Sequence, residues 1–414
     1  MASVSLFILI GSIVLGIWRR INVGVIAVGM SLVLAEIAGI PSKQVYGGFP
    51  TKLFVTLLGS MLFFSLLQKN KTLEVISDFT VQSIGKHLFL LPFVVYLLAF
   101  ILSAVGPGAI PVLPIAIIIG VTLAKQLDIS PVLMGGLATL GAVGGTLSPL
   151  ALTGIIVQEI LTEQGIAGME ADLFIKGTII NLVGVISLYI FYKGYTLKAL
   201  VQEKRRITFN KNQKISVVLL IFLVIMVIGF NFDVGLVGFF LAMVLLAVKG
   251  SDEKGGISQI PWSVIIMVCG VNVLMTLVQK LGGVKLLANF LANFMSEQSA
   301  AAIMALTGGI MSQFSSANGV VIPTLVPTAT DIALMIPGVS VHELVFAITF
   351  AAVVTLSPLS TAGSLIMATY TQGEEKSPRE INRLFTSLFV WTFVMLIGFA
   401  LVCGLGYYNW ISIW

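Results

Sequence analysis

The sequence predicts an all-α polytopic membrane protein made of two inverted-topology repeats, each with five spans, one of them broken at mid-membrane, and one re-entrant hairpin. Composition, charge placement and an internal repeat predict this fold class. Of the 414 residues, 57% are hydrophobic and 10% are charged, against about 25% charged residues in an ordinary soluble domain. The charges cluster between long apolar runs, as is typical of membrane proteins. Soluble enzymes, nucleic-acid binding and secreted disulfide scaffolds are excluded.

The basic residues predict the orientation in the membrane. Arg19 and Arg20 follow the first apolar run, and a longer basic cluster lies between Lys193 and Lys214. Cytoplasmic loops carry an excess of Lys and Arg, so both clusters are expected inside the cell and both termini outside. We expect a multi-pass protein of the bacterial cytoplasmic (inner) membrane, with the lipid bilayer as a partner and no nucleic acid.

An internal repeat divides the chain almost in half. Three segments recur in the same order at offsets of 209 to 212, which indicates a duplication. The matched pairs are 54–69 with 265–280, 103–111 with 315–323, and 146–154 with 355–363. We therefore expect repeat one at 1–200, a basic cytoplasmic linker at 201–214 and repeat two at 215–414.

Loop charges predict that the second repeat is inverted. The loop after the first Thr-Leu-Ser-Pro sequence is acidic, with Glu159, Glu163 and Glu170, whereas the corresponding loop of repeat two carries Lys376 and Arg379. Opposite signs place the two loops on opposite sides of the membrane. Inverted repeats are a common plan of secondary transporters.

Each repeat contains full spans of about 20 residues, which is enough to cross a bilayer, and one interrupted apolar stretch. The predicted spans are 3–18, 21–39, 48–68, 130–157 and 172–192, then 215–231, 234–249, 261–279, 343–370 and 385–408. The interrupted stretches, 88–124 and 299–338, are predicted as re-entrant hairpins, the first entered from the cytoplasm and the second from outside. Amphipathic segments at 72–85 and 284–295 precede them and are expected along the membrane interface.

Four breaks are predicted at membrane depth: the two hairpin tips and the Thr-Leu-Ser-Pro sequences within 130–157 and 343–370. Pro149 and Pro358 cannot continue a helix. Unpaired backbone inside a bilayer must face protein, water or a ligand. Simple kinks that only shape packing are the alternative, which two repeated pairs of breaks disfavour.

The surroundings of these breaks predict the charge of the ligand. No Lys or Arg occurs in 88–124, 129–158 or 301–370. An anion would therefore be held by helix N-termini and by hydroxyl and amide donors. Bound cations held by carbonyl oxygens would balance a dianion, and such hard ligands suit Na⁺. Charge balance favours cation-coupled anion symport.

Three runs carry a family resemblance: 16–24, 48–57 and 129–149, the last containing Gly-Gly-Thr-Leu-Ser-Pro. They resemble the amino-terminal half of the malonate and C4-dicarboxylate carriers of the MatC type, within the divalent anion:sodium symporter superfamily. The resemblance implies import of a small dicarboxylate, Na⁺ coupling and an elevator mechanism in a homodimer. The second half is matched mainly through the repeat and the wider superfamily.

In that superfamily, Ser-Asn-Thr triplets at the hairpin tips and the breaks that follow them bind substrate and Na⁺. The first tip here departs from the triplet, with one hydroxyl and no Asn or Thr. The carried-over substrate-binding residues are Ser103, Gly106, Thr146, Ser148, Ser315, Ser316, Asn318, Thr355 and Ser357. The candidate Na⁺ ligands, mostly backbone carbonyls, are at Ser103, Gly145, Leu147, Ser315, Asn318 and Leu356.

Two alternatives stay open at this point. A cation/proton antiporter, or an efflux carrier for another anion, shares the superfamily outline, but a proton antiporter generally needs a carboxylate at mid-membrane, and the breaks contain none. A channel or a structural membrane protein is the other alternative. An enzyme is not expected, because no nucleophile with a base and no phosphate loop is present.

Overall fold

The computed structural model describes residues 1–19, 21–72, 75–76, 88–197, 208–230, 232–260, 262–313, 315–371 and 377–410. Its regular structure is helical, and no strand occurs in these ranges, so the predicted all-α class is confirmed. The helices are α1 Ala2–Arg19, α2 Val23–Ala38, α3 Ser42–Tyr46, α4 Thr51–Lys69, α5 Leu91–Ala104, α6 Ala109–Gln126, α7 Pro131–Gly145, α8 Leu152–Glu163, α9 Glu170–Phe191, α10 Lys211–Val224, α11 Val234–Ala247, α12 Glu253–Gln259, α13 Trp262–Lys280, α14 Gly283–Ala292, α15 Ala300–Ser312, α16 Ile322–Leu325, α17 Thr328–Met335, α18 Val341–Val353, α19 Thr361–Thr371, α20 Pro378–Gly404 and α21 Tyr407–Trp410.

The chain is interrupted at or near all four predicted breaks. The stretch 88–124 contains α5 and α6 with a turn at 105–108 between them, and the stretch 299–338 contains α15, a π-turn at Ala317–Val321, then α16 and α17. The two Ser-Pro sequences separate α7 from α8 and α18 from α19. In the stretch 299–338 the interruption follows Ser312, and Asn318 and Gly319, where the break was predicted, lie inside the π-helical segment.

Several boundaries differ from the predicted ones. Helix α10 begins at Lys211, inside the predicted linker, where Asn210 and Gln213 form a capping box. Helix α20 begins at Pro378, seven residues before 385, behind a capping box of Ser377 and Glu380. Residues 198–200 of predicted repeat one, residues 201–207 of the linker, Arg20, and most of the predicted amphipathic segment 72–85 lie outside the described residues.

Several helices are long and apolar enough to span a membrane. Within the described ranges, four segments are long and apolar enough to cross a membrane, and a fifth qualifies if α13 and α14, bent by 81°, count as one. The four segments are Ala109–Gln126, Glu170–Phe191, Ala317–Met335 and Pro378–Gly404. Helices α1, α4 and α13 have 18 or 19 residues. Helices α2, α5, α7, α11, α15 and α18 have 13 to 16 residues and, at 1.5 Å per residue, fall short of a 30 Å core.

Four helix pairs organise the packing. Helix α5 packs along α7, α15 along α18, α4 along α11, and α2 along α13. Most buried apolar residues form one large cluster. A smaller cluster joins α1, α2, α13 and the start of α14, and includes Val320 of the π-turn.

Glycines let two of these pairs approach closely. A Cβ at Gly24 would lie 2.2 Å from the carbonyl oxygen of Ile266, and a Cβ at Gly270 would lie 2.3 Å from that of Gly24. In the other pair, a Cβ at Gly59 would lie 2.0 Å from the carbonyl oxygen of Gly235. These crossings of α2 with α13 and of α4 with α11 leave no room for a side chain at the contact points.

Candidate substrate site

The first hairpin tip contributes mainly backbone. Gly106 has φ of 152° and Gly108 has φ of 72°, conformations that L side chains rarely adopt. A Cβ at Gly108 would lie 2.9 Å from Thr146 Oγ1, and one at Gly106 would lie 2.1 Å from the Phe64 ring of α4. The tip therefore lies between the first break and α4, with space only for glycine.

The first break follows α7 and folds back on itself. The hydroxyl of Ser148 accepts a hydrogen bond from the Leu150 amide at 3.2 Å, and the carbonyl of Thr146 accepts one from Gly154 at 3.1 Å. Thr146 is 1% exposed and Ser148 4%. The break thus encloses hydroxyl groups within the protein.

The second break repeats this arrangement. The hydroxyl of Ser357, which is fully buried, accepts a hydrogen bond from the Leu359 amide at 3.2 Å. Thr355 Oγ1 donates to Gln313 Oε1 at 3.2 Å, and Gln313 Nε2 donates to the carbonyl of Gly309 at 3.0 Å. Both ends of the Gln313 amide are therefore occupied inside repeat two.

The second tip contributes side chains. Ser316 caps the π-turn, since its hydroxyl accepts a hydrogen bond from the Gly319 amide at 3.1 Å. Ser315 Oγ donates to the carbonyl of Met311 at 2.9 Å. Asn318 lies inside the turn and is 8% exposed.

A chain of hydrogen bonds joins the first break to the second tip. Thr146 Oγ1 lies 3.0 Å from Thr153 Oγ1, and Thr153 Oγ1 donates to Asn318 Oδ1 at 2.9 Å. Thr153 is fully buried at the start of α8. These three polar side chains connect residues that are up to 172 positions apart in sequence.

The predicted residues are thus only partly connected. Thr146 and Asn318 are linked through Thr153, and Gly108 abuts Thr146. Ser103 is buried, and its hydroxyl donates to the carbonyl of Ala142 at 2.6 Å. No hydrogen bond among the described residues joins Thr355, Ser315 or Ser357 to the chain that contains Thr153.

The pattern of hydrogen bonds makes Ser312 the counterpart of Ser103, whereas the sequence repeat aligned Ser103 with Ser315. Ser312 donates to the carbonyl of Ala352 as Ser103 does to that of Ala142. The next matched proline follows Ser103 by 8 residues, at Pro111, but follows Ser312 by 11 residues. A π-turn accommodates inserted residues in a helix, and Ala317–Val321 lies within this longer segment.

The site lacks charged side chains. No salt bridge or hydrogen bond within the described ranges joins a charged side chain to the breaks or tips, and no group of three His, Cys, Asp or Glu side chains there could hold a metal ion. Buried Lys176 of α9 is neutralised by Asp172 at 3.2 Å and donates to the carbonyl of Tyr408. Any bound ion therefore meets neutral donors, carbonyls and helix ends.

Two carbonyls at the breaks stand out. The carbonyl oxygens of Leu147 and Leu356 accept no hydrogen bond from the described residues, although both residues are fully buried. Buried backbone carbonyls are nearly always paired. The two carbonyls lie at corresponding positions, and their role as cation ligands stays a prediction.

Sequence reasoning missed Thr153 and Gln313. Thr153 lies seven residues after Thr146, close to two helical turns, but a lone threonine near a helix start gives no distinctive signal. Its partner Asn318 is 165 residues away. Gln313 directly follows α15 and was the nearest polar residue before the predicted tip.

Comparison with known proteins agrees with this architecture. Residues 1–146 match the family model described as the dicarboxylate carrier protein MatC N-terminus. The predicted MatC-type resemblance is confirmed over this region. The match covers 146 of 414 residues and indicates a membrane transport protein and not an enzyme. Among curated proteins, none matches the chain significantly.

A solved structure shares the fold over most of the chain. It is the crystal structure of the Alcanivorax borkumensis YdaH transporter, described as having an unusual topology. The TM-score is 0.57 at 12% sequence identity, and the match covers 87% of this chain and 86% of that one. At this identity the match establishes a shared fold, and the MatC-type match rests on the amino-terminal third.

Proposed function

We propose that this chain is a secondary active transporter that imports a small dicarboxylate of the malonate or C4 class. Transport is coupled to Na⁺ and proceeds by an elevator mechanism of alternating access. The observation that carries the proposal is the buried, uncharged hydrogen-bond chain from Thr146 through Thr153 to Asn318. It joins a helix break of repeat one to a hairpin tip of repeat two, and the MatC family model supplies the dicarboxylate class.

Helix ends and neutral donors support anion binding. Helices α6, α8 and α19 begin directly after the first tip, the first break and the second break. A helix N-terminus carries about half a positive charge and unpaired amide groups. Such ends hold a carboxylate without a countercharge, which suits a carrier that must release its substrate.

The unpaired carbonyls of Leu147 and Leu356 support Na⁺ coupling. Carbonyl and hydroxyl oxygens are the hard ligands that Na⁺ takes at unwound helices. A cation at each break would offset the charge of a dicarboxylate. Proton antiport is disfavoured because a mid-membrane carboxylate is absent from the described part of the site.

Corresponding contacts support two inverted repeats. The crossing of α2 with α13 involves Gly24 and Gly270, and that of α4 with α11 involves Gly235 and Gly59. An offset of 211 converts each crossing into the other. Offsets of 209 and 210 relate the buried bond from Ser103 to Ala142 to the one from Ser312 to Ala352. Exchange of equivalent helices between repeats is the pattern expected of a pseudo-two-fold axis in the membrane plane.

The position along the neighbouring helix at which each tip makes contact supports an elevator mechanism. The first tip contacts Phe64 of α4 and the second contacts Met267 of α13. At the 211 offset, Phe64 corresponds to Met275, eight residues from Met267 and about 12 Å along a helix. With the predicted orientation, Phe64 and Met267 both lie five residues from the cytoplasmic ends of their helices. Both tips therefore lie near the cytoplasmic side, as in an inward-facing state. The proposed transporter is a homodimer whose termini lie outside the inner membrane.

Uptake into proteoliposomes tests the proposal. Radiolabelled malonate and succinate are offered in separate assays with an inward Na⁺, K⁺ or proton gradient, with protein-free liposomes as the control. We expect uptake that requires the Na⁺ gradient. Uptake driven by protons alone would overturn the Na⁺ coupling but keep the carrier. No uptake of either compound under any gradient would overturn the dicarboxylate proposal and favour an efflux carrier for another anion.

A further inference from the structure

The hydrogen-bond chain between the repeats has a direction. Thr153 has one hydroxyl proton, and it is donated to Asn318 Oδ1. Toward Thr146 it can therefore only accept, so the Thr146 hydroxyl donates to Thr153. The protons of both hydroxyls point along the chain from the first break to the second tip.

This direction makes the two ends chemically different. At the Asn318 end, Oδ1 is occupied and Nδ2 has no hydrogen-bond partner in the described part of the chain, so the amide offers two N–H donors. At the Thr146 end, the hydroxyl proton is used, and Oγ1 offers only lone pairs. Nitrogen-bound protons attract a carboxylate, whereas hydroxyl lone pairs repel it and suit a cation.

Resting on the proposed function, we infer that Thr153 is a positioning residue that fixes this direction. It holds the Asn318 amide with its donors toward the substrate carboxylate, and it keeps the Thr146 oxygen as an acceptor beside the unpaired carbonyl of Leu147. Thr146 then belongs to the cation side of the site and does not donate to substrate. The same buried hydroxyl thereby separates the cation side from the anion side.

The local structure gives Thr153 little freedom to play another role. Its side chain is fully buried, and the two bonds account for its proton and one lone pair. In repeat two, the nearest comparison is Thr355, which donates to a Gln313 amide whose own nitrogen is already bonded to Gly309. Within the described residues, the amide at the end of the Thr153 chain keeps both N–H donors unused, whereas the Gln313 amide keeps one.

A graded substitution series tests the inference. Thr153→Ser keeps a hydroxyl, Thr153→Cys keeps a weaker donor, and Thr153→Val keeps the shape without a donor. The control is Thr139→Val in α7, because Thr139 is equally buried but bonds only to the carbonyl of Gly135 in its own helix. KM and maximal rate of dicarboxylate uptake are measured at several Na⁺ concentrations, after monodisperse elution has been checked for each variant.

We expect KM to rise in the order Ser, Cys, Val, reaching about tenfold for Thr153→Val, the loss equivalent to one hydrogen bond. The Na⁺ dependence should shift to higher concentration in the same order, with a smaller change in maximal rate. Thr139→Val should match wild type in both. If Thr153→Val does not fold, the Ser-to-Cys step carries the same test.

The outcomes separate the two proposals. An active wild type with equal KM for the Ser, Cys and Val variants would overturn the role of Thr153 and leave the proposed function intact. A fall in maximal rate alone, without change in KM or Na⁺ dependence, would indicate a purely structural role and would also overturn it. An inactive wild type would overturn the proposed function, and the inference with it.

Discussion

The two hairpin tips occupy corresponding places in the repeats but contribute different chemistry. The first tip is a Gly-Pro-Gly turn whose two glycines have positive φ, with no hydroxyl or amide side chain at the turn itself. The second tip is a π-turn that carries Ser316 and Asn318. The first tip thus offers backbone where the second offers side chains, so the two tips differ in the groups that they present.

The breaks reverse this asymmetry. The first break reaches across to the other repeat through Thr146 and Thr153, whereas the second break is bonded within its own repeat through Gln313. The hydrogen bonds that join the two halves of the chain therefore run through the first break and the second tip.

The comparison predicts that side-chain truncation at the second tip has the largest effect. Asn318→Ala removes the donors at the end of the chain, and we expect uptake to fall to background. Ser357→Ala should do the same, because its hydroxyl holds the turn after the second break through the Leu359 amide. Radiolabelled uptake measures both. Asn289→Ala, at an exposed position of α14, is the control, and wild-type uptake by both site variants would refute the site assignment.

The next prediction concerns the position of the second tip along α13. A Cβ at Gly319 would lie 3.2 Å from the Cβ of Met267, near the spacing of a disulfide. In a background with Cys269→Ala and Cys403→Ala, the Gly319→Cys/Met267→Cys pair should cross-link and reduce uptake at least tenfold, reversibly with reductant.

The contact of the first tip predicts where the second tip lies in the opposite, outward-facing state. Since Met275 corresponds to Phe64 at the 211 offset, the second tip would then contact Met275. The Gly319→Cys/Met275→Cys pair should therefore also cross-link during transport, and the single Gly319→Cys variant serves as the control. If the Met267 pair cross-links without impairing uptake and the Met275 pair never forms, the tip does not travel along α13.

Much of this fold could be predicted from sequence, because helix breakers act locally. Pro149 and Pro358 remove a backbone donor and disfavour a continuous helix, and both lie between separate helices in the structure. The register of the second tip could not be predicted, since serines stand at both 312 and 315 and either can be matched with Ser103. Only the buried bond to Ala352 decides between them. Sequence periodicity predicts which residues share one face of a helix, but it does not predict which helices contact each other. The hydrogen bond from Thr153 to Asn318 was therefore missed.

The glycine crossings allow a test of the equivalence of the repeats. Gly24→Ala and Gly235→Ala should destabilise the protein to similar extents, lowering its melting temperature in detergent by several degrees, since overpacking costs about 1 to 3 kcal/mol. Gly29→Ala on the same helix as Gly24 is the control, because a Cβ there meets nothing within 4 Å. Unequal effects of Gly24→Ala and Gly235→Ala would argue that the two crossings are not equivalent.

The smallest expected effect belongs to an ion pair that has no counterpart in repeat two within the described residues. Lys52 Nζ of α4 lies 2.9 Å from Glu159 Oε1 of α8. In the proposed elevator mechanism, α8 moves with the broken helices while α4 belongs to the scaffold, so the pair would join the two parts. The Lys52 side chain is 66% exposed, and exposed pairs contribute about 0 to 1 kcal/mol. Glu159→Gln should therefore shift the balance between the Met267 and Met275 cross-links by less than about fivefold toward Met275, and high salt should reduce the shift.

Glu163→Gln on the same helix is the matched control, and the exchanged pair Lys52→Glu/Glu159→Lys should restore the wild-type balance. A shift of equal size with Glu163→Gln would mean that the charge of the loop, and not this contact, biases the position of α8.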